Sequence, residues 1–157
     1  MFYIIYIVIL FTIGIIVSVI VFKSMKGKIS QLDNLIKKNT VTENMLLNWI
    51  SIKQDKHNIC NFFTEHDIKK IAIYGMGPVG QRLYRELENT GVSVVFSVDQ
   101  NAMNIYSEIP VLTMEDEWPE IDAIIVTPIF YYESIRKCIE NKIVCAVFSL
   151  DDIIYEC

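Results

Sequence analysis

The most specific chemistry in this sequence rests on three glycines and one aspartate. Gly75-Met76-Gly77-Pro78-Val79-Gly80 is a G-x-G-x-x-G run, and Asp99 stands 24 residues beyond its first glycine. That spacing suits a diphosphate held against main chain. Gly75 permits a tight turn, Gly77 lets the backbone approach the phosphates, and Gly80 allows helix and strand to pack closely. Free N–H groups at a helix start attract the anion. Pro78 fits there because a proline in the first turn sacrifices no helical hydrogen bond. Asp99 can accept hydrogen bonds from ribose hydroxyls and would repel a 2′-phosphate, which favours NAD over NADP. Thr127, closing a later apolar run, is a further candidate contact, although ending a strand is its simpler role.

Elements must hold these residues, and the patterning supplies them. Lys70–Tyr74 is a short β-branched strand running into the glycines. A helix follows with Val79, Leu83 and Leu87 inward and Gln81, Arg82, Arg85 and Glu86 outward, and Gly91 is placed to end it. Residues 92–98 form a second strand that delivers Asp99. Residues 122–127 are almost wholly apolar, as in a parallel strand covered on both faces. A helix over 131–141 with Ile135 and Ile139 inward, a strand over 144–150 and a short terminal helix complete the chain. Between them lie an extended piece at 109–112 and a capped turn at 113–116. The expectation is an α/β domain with a small Rossmann-like parallel sheet of about four strands. Its expected order is 92–98, 71–74, 122–127, 144–149, with ligand over the carboxyl ends near Gly75, Asp99 and Thr127. A scaffold whose glycine turn holds nothing has the same pattern.

Ahead of this domain, Phe2–Phe22 contains no charge in 21 residues. A helix of that length spans about 30 Å, the thickness of a bilayer core. The expected organisation is a transmembrane helix at 1–22, a basic helical juxtamembrane linker at 23–69 and the nucleotide-binding domain at 70–157. No Lys or Arg precedes the apolar run, whereas Lys23, Lys26 and Lys28 follow it at once. By the positive-inside rule the amino terminus faces out and the domain is cytoplasmic. Gly14-x3-Ser18 is a small-x3-small pattern through which two such helices could form a homodimer.

The linker reads as three short helices. Ile29, Leu32 and Ile36 mark the first, which breaks at 37–40, too short for a coiled coil. Thr42 can cap the second, which carries Leu46, Trp49 and Ile50, and Ile59, Phe62 and Phe63 mark the third. Trp49, Phe62 and Phe63 serve either as a cover over the domain or as a partner surface.

Charge divides along the chain. Residues 23–70 hold nine lysines against five acids, whereas residues 71–157 hold five basic residues against fourteen acids. An acidic folded half argues against nucleic acid as partner, while the basic stretch suits anionic lipid. Cys60, Cys138, Cys145 and Cys157 show no C-x-x-C pair and no histidine at zinc spacing. His57 and His66 read as solvated linker residues, so no metal site is expected.

Catalytic patterns are missing. None of the eight tyrosines has a lysine four residues later; the nearest approach is Tyr132 with Arg136. No P-loop and no G-x-S-x-G is present. Catalysis by this chain alone is not expected.

"KKIAIYGMGPVGQRLYREL", "VVFSVDQN", "IPVLTMEDEWPEIDAIIVTPIF" and "VFSLDDIIYE" resemble, in order, the Rossmann-type modules of bacterial polysaccharide biosynthesis. Similar modules precede membrane-embedded initiating sugar-phosphate transferases, open some sugar O-acyltransferases, or stand free. The resemblance covers about half the chain. It implies binding of NAD or a nucleotide-sugar through Gly75, Gly77, Gly80 and Asp99, and a membrane-bound glycosyltransferase or polysaccharide-assembly partner. The expected function is an accessory or regulatory one at the membrane. The alternatives are an NAD-dependent oxidoreductase or epimerase subunit completed by a partner, and a non-binding scaffold.

Overall fold

A computed structural model describes residues 2–157. It opens with helix α1, Phe2–Gln54, in which no break separates the apolar stretch from the linker. The chain divides into one unit ending at Thr40 and a second spanning Val41–Cys157. The first unit is helix throughout, with every described side chain outward. An 18-residue window of α1 has a mean hydropathy of 3.0 and none of it is buried. It is therefore long and apolar enough to cross a membrane.

The break expected at 37–40 and the cap expected at Thr42 do not occur, because no glycine or proline interrupts 28–54. Polar residues alone cost a helix only tenths of a kcal/mol each.

In the second unit a five-stranded parallel sheet runs β3-β2-β1-β4-β5. Its strands are β1, Lys70–Tyr74; β2, Ser93–Val98; β3, Val111–Leu112; β4, Ala123–Val126; and β5, Ala146–Ser149. The expected order is present, with one strand more. Val111 and Leu112 pair with Ser97 and Val98 and give the extended piece a place at the edge. Helices α2 (Cys60–Glu65), α3 (Pro78–Leu87), α4 (Tyr132–Glu140) and α5 (Leu150–Glu156) flank the sheet.

Alternation along β1 and β4 divides the core between two faces. Ile71, Ile73, Ala123 and Ile125 pack with Leu83, Leu87, Leu150, Ile153 and Ile154. Met45, Trp49, Ile59, Phe62 and Phe63 join that same face, so the segment from Val41 onward belongs to the domain's core. The Trp49 indole N–H donates to Glu86 on α3 at 2.9 Å, and Lys53 pairs with the same carboxylate at 2.5 Å. On the other face Ala72, Tyr74, Ile124 and Val126 pack with Phe96, Ile121 and Ile139.

One local expectation is corrected. The left-handed residue after α3 is Asn89, with φ of 59°, and Gly91 does not take that role. His57 and His66 are both exposed, as expected; His66 also stacks on Phe62 with ring centroids 4.3 Å apart, and His57 bonds the Cys157 main-chain oxygen at 2.6 Å.

Candidate functional site

The site forms where β1 ends beside β2 and β4. The Gly75 N–H extends the β1–β2 ladder by donating to the Val98 carbonyl at 2.8 Å. Gly75 then turns with φ of +92°, in the region that favours glycine. A Cβ there would meet Thr127 Oγ1 at 2.8 Å and Pro128 Cδ at 2.9 Å. Gly80, within the first turn of α3, lies still closer: its Cβ would stand 2.1 Å from the Gly75 carbonyl oxygen. Only glycines let α3 start tightly against β1.

Gly77 behaves differently. Its φ is −69°, and an added Cβ would meet nothing within 4 Å. It is the N-cap of α3, with no side chain capping the helix and Pro78 in the first turn. The first helical bond shown runs from Gln81 N–H to the Gly77 carbonyl at 3.0 Å. The N–H groups of Val79 and Gly80 precede it and therefore lack a partner four residues back within α3. A helix start with an open approach is suited to an anion.

Asp99 closes the other side. Its Oδ2 accepts the Met76 N–H at 2.9 Å and its Oδ1 accepts the Asn101 N–H at 2.9 Å. The Asp99 N–H donates to the Leu112 carbonyl at 2.9 Å, so β3 helps to hold the loop. Half-buried and bonded to backbone, Asp99 is fixed in place. Each carboxylate oxygen still has a lone pair available for a hydroxyl donor.

Thr127 proves to be a brace. Its N–H donates to the Tyr74 carbonyl at 3.0 Å, and its hydroxyl lies 2.7 Å from the Gly75 carbonyl and 3.2 Å from that of Tyr74. The hydroxyl therefore points at the turn from beneath. Met76 is also buried, and its N–H is taken by Asp99. Of the residues predicted from sequence, Gly75 and Asp99 line a cleft of about 470 Å³. Gly77, Pro78 and Val79 open α3 beside it, while Met76, Gly80 and Thr127 shape the turn.

The same cleft is walled by Gln100, Pro128, Tyr131, Ser134 and Ile135, which sequence reasoning left out. Their signal was present: 122–127 was placed next to β1, so the loop after it had to overhang the glycine turn. A second cleft of about 450 Å³ shares Tyr131 and Ser134 and is lined by Glu133, Asp151 and Asp152. Burial, and then the charges of Asp151, Glu156 and Glu133, raise the Asp152 carboxyl above its ordinary range.

Tyr132 and Tyr74 are poorly suited to proton abstraction. Tyr132 donates its hydroxyl to the Val147 carbonyl at 2.9 Å, and burial pushes its pKa up. Burial likewise raises Tyr74, with the nearby Cys138 and Asp99 acting in the same direction. Among the described residues no group of three or more His, Cys, Asp or Glu is placed to hold a metal.

Residues 67–146 match the family model described as C2185-like, N-terminal, which covers the strand–glycine turn–helix unit and most of the sheet. No curated protein and no solved structure matches the chain.

Proposed function

The chain belongs to the C2185-like, N-terminal family, and we propose that it is a single-pass membrane protein presenting a nucleotide-binding domain to the cytoplasm. Its ligand is NAD or a nucleotide-sugar, and its role is accessory or regulatory in assembling cell-envelope polysaccharide. One observation carries the binding reading: two glycines of the turn are sterically required, while the third, Gly77, faces open space at a helix start with no side-chain cap. Packing explains Gly75 and Gly80 and leaves Gly77 to be explained by something approaching the backbone. The diphosphate would lie on the first turn of α3, with the ribose toward Asp99. The orientation rests on Lys23, Lys26 and Lys28 following the apolar stretch. The pathway rests on the resemblance of residues 70–149 to polysaccharide-biosynthesis modules.

A thermal-shift panel of NAD, NADP, UDP-sugars, CoA and ATP tests the reading. A ligand at a hundred times its dissociation constant adds about 2.7 kcal/mol of stability. The expected result is a shift with NAD or a UDP-sugar and a smaller one with NADP. No shift with any of them at saturating concentration would end the proposal.

A further inference from the structure

Helix α1 carries an apolar stripe beyond the stretch that the bilayer would cover. Met25, Ile29, Leu32 and Ile36 recur at spacings of four, three and four, and each is more than half exposed. Leu35 flanks them and is exposed to a similar degree. Around the rest of the helix stand Lys23, Ser24, Ser30, Gln31, Asn34 and Lys37, all polar. Counted from Phe22 to Ile36 the spacing averages 3.5 residues, that of the seam of a two-stranded coiled coil. The same phase runs back through Phe22 and Ser18. Because α1 is unbroken from Phe2 to Gln54, this stripe needs no separate helix nucleation, and the seam continues from the apolar stretch before it.

We propose that the stripe is the interface of a parallel, in-register homodimer. The occupant is identified by charge. With Ile29 and Ile36 at a, and Met25 and Leu32 at d, Lys28 falls at g and Asp33 at the following e. Those two positions oppose each other across a parallel pair. Each Lys28 then meets the partner's Asp33, twice per dimer. Among the described residues neither Lys28 nor Asp33 has an ion-pair partner in its own chain. Insertion of both copies in one direction through one membrane, which rests on the anchoring reading, fixes the parallel sense. It also raises the effective concentration of each copy for the other.

The test uses the full chain in membranes, with oxidative cross-linking of introduced cysteines and the unsubstituted chain as background. Leu32→Cys on the seam is expected to give covalent dimer, and Asn34→Cys on the far face is not. Adding Lys28→Glu to Leu32→Cys is expected to lower the yield roughly fivefold, through like charges at two exposed positions. Adding Asp33→Lys as well is expected to restore it. Equal yields at Leu32→Cys and Asn34→Cys overturn the proposal. So does an unchanged yield with Lys28→Glu, or no recovery in the charge swap. If the stripe lies on a lipid surface instead, Leu32→Cys stays at background, and that too overturns it. None of these readouts depends on nucleotide, so failure here and failure of the binding reading are separable.

Discussion

The Asp99 carboxylate accepts the Met76 backbone N–H at 2.9 Å, which ties the end of β2 to the glycine turn after β1. One side chain therefore has two duties: it holds the turn in place and offers its remaining lone pairs to a ligand. The two duties separate by substitution. Asp99→Asn keeps a carbonyl acceptor and is expected to lower stability by about 1 kcal/mol. Asp99→Ala strands a buried N–H and is expected to cost about 1–3 kcal/mol. Thermal unfolding measures both, and both variants are expected to weaken NAD binding.

The three glycines are expected to divide sharply. Gly80→Ala forces a Cβ against the Gly75 carbonyl, a backbone atom that cannot swing aside, and should cost about 3 kcal/mol or more. Gly77→Ala meets no neighbour and loses only glycine's advantage over alanine at the N-cap, so it should cost no more than about 1 kcal/mol. Chemical denaturation of the two variants checks the contrast. Equal losses would mean that the turn is packed differently.

Most of this site was legible in the sequence because its parts are local. The strand, turn and helix around Gly75–Gly80 are read from adjacent residues, and a parallel strand buried on both faces announces itself at 123–126 as an apolar run. What escaped is set by tertiary contact. Thr127 could be seen ending a strand, but its hydroxyl's aim at the Gly75 carbonyl depends on β4 lying beside β1. Val111 and Leu112 are too short a segment to signal a strand and become one only by pairing with β2. Helix α1 was divided because polar residues at 37–40 interrupt its apolar pattern, although nothing there interrupts its backbone.

The domain's amino-terminal limit can be checked by truncation. Met45, Trp49, Ile59, Phe62 and Phe63 are buried in the core that covers one sheet face. Removing large core side chains costs about 2–5 kcal/mol apiece, and a domain holds only about 5–15 kcal/mol in total. A chain beginning at Val41 is expected to melt cooperatively, and one beginning at Lys70 is expected to be unfolded. Circular dichroism on heating distinguishes them.

Acid sensitivity should trace in part to Asp122. Its carboxylate accepts the Lys70 and Lys69 N–H groups at 2.7 and 2.9 Å, which hold its pKa below the ordinary 3.8. A group with a depressed folded pKa stabilises above its unfolded pKa and loses that contribution as pH falls through the folded one. Melting temperature should therefore drop more steeply below pH 4 in the wild-type chain than in Asp122→Asn. Parallel curves for the two chains would remove Asp122 from the account.

The central claim is that the glycine turn binds a nucleotide through the main chain at Gly77. Isothermal titration of NAD and of a UDP-sugar into the wild-type chain and into Gly77→Ala, matched for melting temperature, tests it most directly. The expected result is saturable binding of one of them to the wild type, weakened about tenfold or more in Gly77→Ala by loss of the close backbone approach. Equal affinity in the two chains, or no binding to either at millimolar ligand, would contradict it.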